Sequence, residues 1–244
     1  MKKPFLILIA LSIFIVVACT GDDKNSPNPF EPEEETAMFP FLKMGNVFTY
    51  QCDIRVDCGT GYIGNIMTIS IDSTTSTDSA IMYYGTNTFY ERRINYYDYQ
   101  NEYIDTVDVQ IKSNVPLFLV KDSVVTFLFA DSLKIPYDCK IGTIIDSMLN
   151  YDNERIYCKF DNIRDYSVSK QIGEDYNYDY ILILYKNCFQ SRTSFYKSHG
   201  NGMSSSSWKN FVYNSNYGLI VIDKGQETPV GPNGSSLSLI ETNF

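Results

Sequence analysis

The chain reads as an all-β protein: an antiparallel β-sandwich or an open β-barrel, preceded by a disordered stalk. Three observations predict this. Apolar residues recur at every second position along most of the chain. The connections between those runs are rich in Asp, Asn, Ser and Gly. No segment sustains an apolar stripe at helical spacing.

The elements follow in order. In 47–56, Phe48, Tyr50, Cys52, Ile54 and Val56 alternate with Thr49, Gln51, Asp53 and Arg55. In 63–71, Ile63, Met67, Ile69 and Ile71 alternate with Gly64, Thr68 and Ser70. Between them lies the turn-rich Asp57-Cys58-Gly59-Thr60-Gly61, so the two runs predict a β-hairpin with one buried face. Further strands are predicted over 79–85, 88–97, 102–112, 115–121, 124–130, 141–149, 155–161, 165–171, 180–190, 193–197, 207–214, 218–224 and 236–241. Helices over 124–133 and 141–150 compete with two of these, but both are short and weakened by β-branched residues. Residues 39–244 show no second linker, no run of like charge and no repeat period, which predicts one β-rich domain of 206 residues.

The start of the chain has a different character. Lys2 and Lys3 precede fourteen uncharged residues, Phe5 to Ala18, the layout of a secretory signal peptide over 1–18 that is cleaved on export. As a helix that run would reach roughly 21 Å against a hydrocarbon core of about 30 Å, too short for a transmembrane anchor. Val16-Val17-Ala18-Cys19 resembles the lipobox of bacterial lipoproteins, in which the cysteine is lipidated and becomes the new N-terminus. The resemblance implies lipidation at Cys19, palmitate among the acyl chains, and a membrane partner engaged through that N-terminal lipid. Two or three acyl chains, at about 0.8 kcal/mol per buried methylene, hold a soluble domain on a bilayer.

Residues 19–38 then form the tether. Thr20 to Met38 holds Pro27, Pro29 and Pro32, six carboxylates and one lysine, with almost nothing apolar to offset the entropy of ordering. Thr20-Gly21-Asp22-Asp23 resembles the acidic export signal of surface-exposed lipoproteins of the Bacteroidota, and simple linker acidity explains it as well, so a periplasmic and a surface-facing position both stay open. Loss of Lys2 and Lys3 takes the net charge from −9 to about −11, a balance that repels phosphate backbones and argues against nucleic acid as a partner.

Two motifs in the body carry a wider resemblance. Phe39-Pro40-Phe41-Leu42-Lys43-Met44-Gly45-Asn46-Val47-Phe48-Thr49-Tyr50 is similar to the FPL-x-x-GN-x-W-x-Y opening of many Bacteroidota outer-membrane lipoproteins, with Phe48 where tryptophan is usual. Phe211-Val212-Tyr213, followed by Tyr217-Gly218-Leu219-Ile220, resembles the aromatic-then-GLI segment near their C-termini. The resemblance implies a β-rich domain lipid-anchored to the outer membrane of the cell envelope, and it brings no assigned catalytic residues. In physical terms Gly45-Asn46 predicts a tight turn with positive φ ahead of the first strand.

Chemistry is harder to place. With Cys19 lipidated, Cys52, Cys58, Cys139, Cys158 and Cys188 remain in an oxidising compartment. The odd count leaves a thiol over, and spacing does not choose the pairing. Cys52 and Cys158 fall on the apolar phase of their strands, as small buried hydrophobes do. Without a CxxC pair, and with His199 the one histidine, zinc is a poor fit and no metal or cofactor is expected. A hydrolase would use His199 as base for a serine of Ser204 to Ser207, but no GxSxG elbow supports that, and Ser198 to Ser207 reads first as a flexible loop.

Tyrosine is the remaining signal. Seven of the twenty lie between Tyr83 and Tyr103, and Asp175-Tyr176-Asn177-Tyr178-Asp179-Tyr180 adds a second cluster. Tyrosine covers pleated sheets well, and it also offers rigid contact area with a polar tip. Tyr96, Tyr97, Tyr99, Tyr103, Tyr176, Tyr178 and Tyr180 are therefore the candidate binding surface, for an envelope glycan or a protein partner. The alternatives are a carrier holding a small apolar ligand in a barrel or cleft and, more remotely, the hydrolase.

Overall fold

The computed structural model describes residues 38–55, 64–97, 102–172, 179–200, 203–228 and 231–244. The predicted signal peptide, Cys19, the tether as far as Ala37, Cys58, Tyr99, Tyr176 and Tyr178 lie outside the described residues. The elements are β1 (Val47–Arg55), β2 (Gly64–Thr77), β3 (Ala80–Tyr97), β4 (Glu102–Lys121), β5 (Val124–Phe127), β6 (Leu133–Pro136), β7 (Ile144–Leu149), β8 (Arg155–Lys159), β9 (Asn162–Ile172), β10 (Asp179–Gly200), β11 (Met203–Asn214), β12 (Gly218–Thr228) and β13 (Gly231–Thr242). The all-β expectation therefore holds across the described residues.

Eleven strands form one antiparallel sheet in the order β6-β5-β4-β3-β2-β1-β13-β12-β11-β10-β9, and β7 pairs with β8 as a separate hairpin. Two meanders thus meet where the first strand pairs with the last, through Phe48↔Thr242 to Arg55↔Gly234. β6 and β9 are the edges, so the sheet is not closed into a barrel. It is nonetheless curled. β5 and β11 stand seven steps apart in the strand order, about 34 Å along a flat sheet, yet the rings of Phe127 and Tyr213 lie 6.5 Å apart.

Burial follows the alternation. In the first hairpin the pairs Phe48↔Ile69 and Tyr50↔Met67 point inward together, and all four residues are buried, as is Cys52. The row continues through Tyr83↔Phe118 and Phe118↔Phe127 on the next strands, so cross-strand aromatic neighbours build the core. Cys158 and Cys188 are also buried, which agrees with the reading of Cys158 as a small buried hydrophobe.

The N-terminal motif closes one end of this interior. Phe39, Phe41 and Leu42 are fully buried, and Phe41 stacks on Phe127 at 5.9 Å while meeting Phe118 and Tyr213 edge-on. Gly45 then turns the chain into β1 with φ +83, as predicted, and its amide donates to the Ile71 carbonyl at 2.8 Å. The buried Asn46 side chain donates back to the Phe41 carbonyl at 2.9 Å, tying the turn to the plug.

Several predicted strands are pieces of longer ones. Segments 79–85 and 88–97 belong to β3, 102–112 and 115–121 to β4, and 180–190 and 193–197 to β10. Bulges between Tyr83 and Tyr84, between Gly85 and Asn87, and between Tyr185 and Cys188 shift the alternation without ending the strand. The predicted strand over 124–130 stops at Phe127, because Asp131 and Ser132, at φ 53 and 56, turn the chain back into β6. The loop reading of 198–207 is corrected as well. Ser198↔Ser204 and Gly200↔Met203 are paired, so strands occupy most of that stretch, and Asn201 and Gly202 lie outside the described residues.

The β7–β8 hairpin covers the inner face of β10 and β11. Lys209 of β11 donates to Asp146 at 2.7 Å and to the Ser147 carbonyl at 3.1 Å, and the ring of Tyr151 meets that of Phe195 at 5.1 Å. On the other side, residues 166–172 of β9 and 179–185 of β10 pair only with each other and bend back against β13. The Tyr185 hydroxyl donates to the Leu239 carbonyl at 3.0 Å, and Lys170 pairs with Glu241 at 2.7 Å. Covered on both faces, β12 carries four consecutive buried residues, Leu219 to Ile222, where a one-sided strand would alternate.

Candidate functional site

The two tyrosine clusters sit on two different projections of the sheet. Strands alternate in direction, so the turns after β1, β3, β10 and β12 share one end, and the turns after β2, β4, β9 and β11 share the other. Tyr96, Tyr97 and Tyr103 lie beside the β3–β4 turn at the first end, with Tyr96 opposite Tyr103. Tyr180 lies beside the β9–β10 turn at the second end, opposite Gln171. The topology brings the first three together and separates them from Tyr180 by the length of the sheet, about 30 Å for a nine-residue strand. Tyr99, Tyr176 and Tyr178 lie outside the described residues.

Each projection is a two-stranded ribbon. β2 last pairs with β3 at Ile66↔Tyr90, and β5 pairs with β4 only from Phe118 onward. Beyond these points, among the described residues, Glu91–Tyr97 and Glu102–Asp108 pair with each other as a two-stranded arm. At its root Tyr90 and Val109 stand opposite each other, and Ile111 two residues along is 64% exposed. The β9–β10 ribbon exposes Tyr180, Leu182 and Leu184 on its outer face, while on the alternate positions Ile183 and Tyr185 pack inward and Ile181, nearer the tip, is 50% exposed.

Val109, Ile111, Leu182 and Leu184 were not among the residues singled out from sequence. A signal was available for the last two. Tyr180 to Tyr185 is six apolar residues in a row, which in a strand means cover on both faces or an apolar face left bare.

A cleft of about 240 Å³ opens between the β5–β6 turn, β7 and the inner face of β11 and β12. Leu133, Ile145, Phe211 and Ile222 form its floor, and its rim carries the ion pairs Lys209–Asp146 and Lys224–Asp131. The volume falls below the roughly 300–1,000 Å³ of small-molecule sites. Its charges already satisfy one another, and Ser132, the lining hydroxyl, has no histidine beside it in the lining. The side chain of His199 lies outside the described residues. No group of three metal-ligating side chains occurs among the described residues.

Burial governs the titration of the interior. Tyr185 is pushed up to about 12 and the Cys139 thiol to about 11, in both chiefly because desolvation disfavours the charged form. Desolvation also raises the Tyr50 and Tyr213 hydroxyls and the Cys158 and Cys188 thiols. In the unfolded chain tyrosine ionises near about 10 and cysteine near about 8.5, while the folded chain still holds those protons. Above those values the native state binds more protons than the unfolded state, so stability falls as pH rises. The urea midpoint is expected to hold up to about pH 8.5 and then to decline steadily towards pH 12. Tyr185→Phe should flatten part of the decline between about pH 10 and 12. A midpoint that stays level to pH 12 would contradict the burial of these groups.

No protein-family model matches this chain, and no curated protein matches it in sequence. Two solved structures are similar to it. One is a Bacteroides fragilis NCTC 9343 protein provisionally described as exported and as having a YmcC-like fold, with TM-score 0.40 and 10% identity, covering 83% of this chain and 97% of that one. The other is a Parabacteroides distasonis ATCC 8503 protein provisionally described as a lipoprotein, with TM-score 0.34 and 11% identity, covering 84% of this chain and 98% of that one.

Proposed function

We propose that this chain is an envelope lipoprotein, anchored to the outer membrane through acylated Cys19, whose β-domain binds a glycan or protein partner without chemistry. The observation that carries the binding reading is the β3–β4 arm. It extends past the described residues of its neighbouring strands, places Tyr96, Tyr97 and Tyr103 near its tip and bares Val109 and Ile111 at its root. Tyrosine offers rigid aromatic area with a polar tip, and the root of the arm adds exposed aliphatics, a composition that suits a macromolecular surface. A carrier would need a hollow interior. The aromatic rings of Phe41, Phe118, Phe127, Phe160 and Tyr213 instead fill the space between the two meanders.

Two experiments test this. Cys19→Ser is expected to move the protein from membranes to the soluble fraction and to abolish incorporation of a palmitate analogue. A wild-type protein that takes up no label, with Cys19→Ser still membrane-bound, would refute the anchor. For the binding role, Tyr96→Ser/Tyr97→Ser/Tyr103→Ser is expected to lose retention on isolated envelope material by at least about tenfold, roughly 1.4 kcal/mol, with an unchanged far-UV spectrum. A small apolar ligand released from the native protein in mass spectrometry would favour the carrier instead.

A further inference from the structure

Among the described residues, the β9–β10 ribbon presents an exposed apolar outer face. Leu182 is 69% exposed, Leu184 56% and Tyr180 51%, and they occupy alternate positions, so they share one face. Across the ribbon Leu184 and Leu182 stand opposite Ser167 and Ser169, whose small side chains leave them bare, and Tyr180 stands opposite Gln171. Met44, 62% exposed in the turn before β1, lies at the same end of the sheet. Beside the stripe, Lys186, Asn187, Asn216 and Tyr217 line a shallow depression of amide, ammonium and phenol groups. An apolar stripe bordered by such groups matches the layering of a bilayer surface, where aromatic and lysine side chains sit at headgroup depth.

The end of the sheet that carries the stripe is also the end where the chain enters the domain. Met38 precedes β1, and β1 starts there. Eighteen residues lie between Cys19 and Met38, and the nineteen chain steps reach at most about 65 Å when fully extended. An acylated Cys19 would hold this end near the bilayer at an effective concentration on the order of millimolar, so a stripe too weak to bind lipid from solution would still be seated. The charge of about −11 that remains once Lys2 and Lys3 are removed favours an uncharged or zwitterionic headgroup layer over an anionic one.

We infer that the outer face of the β9–β10 ribbon, through Tyr180, Leu182 and Leu184, rests in the interfacial layer of the bilayer that holds the lipid anchor. The domain then stands on that end, and the tyrosine arm at the opposite end points away from the membrane. This rests on the proposed acylation of Cys19, and the test separates the two.

The full-length lipoprotein, purified with its acyl chains, is reconstituted into vesicles of phosphatidylethanolamine and phosphatidylcholine and oxidised with hydroxyl radicals. Cys19→Ser in solution is the reference. Oxidation of Tyr180, Leu182 and Leu184 is expected to fall several-fold on vesicles, with Tyr90 and Ile111 on the arm unchanged. In lipidated Leu182→Glu/Leu184→Glu, whose changes are on the surface and leave the core intact, Tyr180 should return to its solution value. A palmitate-labelled protein whose stripe oxidises as in solution overturns this inference and leaves the anchor standing, whereas an unlabelled protein overturns both. Protection of the stripe in soluble Cys19→Ser, together with a doubled mass in light scattering, would assign it to a second copy of the chain. Protection in native envelopes but not in pure lipid would assign it to a protein partner. Either result overturns the membrane reading.

Discussion

Phe41→Ala is expected to lower the unfolding free energy by about 4 kcal/mol, the upper part of the range for a buried phenylalanine. Phe41 is fully buried and its ring touches those of Phe39, Phe118, Phe127 and Tyr213, which belong to both meanders and to the plug itself. Those neighbours are held by separate strands of one sheet, so they have little freedom to collapse into the space left behind. The cavity cost then adds to the lost transfer energy. Met44→Ala, three residues on and exposed, should stay within about 0.5 kcal/mol of the wild type. Urea melts of the two variants settle the matter, and equal midpoints would mean that the FPFL segment is not a plug.

Gly218→Ala should cost about 3 kcal/mol, for two separable reasons. At φ +78 an L side chain is strained, and the added Cβ would stand 3.0 Å from the Phe41 ring. Gly45 supplies the control. It has φ +83 with nothing within 4 Å of its built Cβ, so Gly45→Ala carries the backbone strain alone, about 1 kcal/mol. The difference between the two melts measures the contact between the two sequence motifs. A double variant, Gly218→Ala with Phe41→Leu, should recover part of that difference, because the shorter side chain gives the methyl room. If Gly218→Ala is no worse than Gly45→Ala, the ring does not seat against that turn.

These two variants also give a physical basis for the motifs that mark both ends of the domain. The FPFLKMGN opening and the YGLI segment are 169 residues apart between Tyr50 and Leu219, yet the Tyr50 hydroxyl donates to the Leu219 carbonyl at 3.2 Å. Phe41 meanwhile lies on Gly218. β1 pairs with β13 and β12 lies next in the sheet, so residues from both ends of the chain build one end of the core. The motifs are explained by packing, and neither supplies a reactive group.

Alternation along the chain was enough to establish the all-β class, the first hairpin with its buried face of Phe48, Tyr50 and Cys52, and the positive φ at Gly45. Each of these depends on local rules: which side of a pleat a residue occupies, and which residue tolerates a left-handed turn. The strand order was beyond such rules. Pairing of β1 with β13, the open edges at β6 and β9 and the curl that brings Phe127 to Tyr213 are contacts between segments far apart in sequence, and a period of two says nothing about partners. The same holds for the surface. Tyr96 and Tyr180 look alike in sequence, each within a tyrosine-rich acidic stretch, but the direction of their strands sends them to opposite ends of the sheet. Bulges were hidden for a related reason, since the extra residue that β4 carries between Lys112 and Val115, opposite Gly85 and Asn87, looks like the end of one strand until the partner strand is seen to continue past it. Whether six apolar residues from Tyr180 to Tyr185 are covered on both faces or on one depends on what folds over them. Here β13 covers the inner face at Tyr185, Ile181 farther out on that face is half exposed, and the outer face is left bare at Leu182 and Leu184.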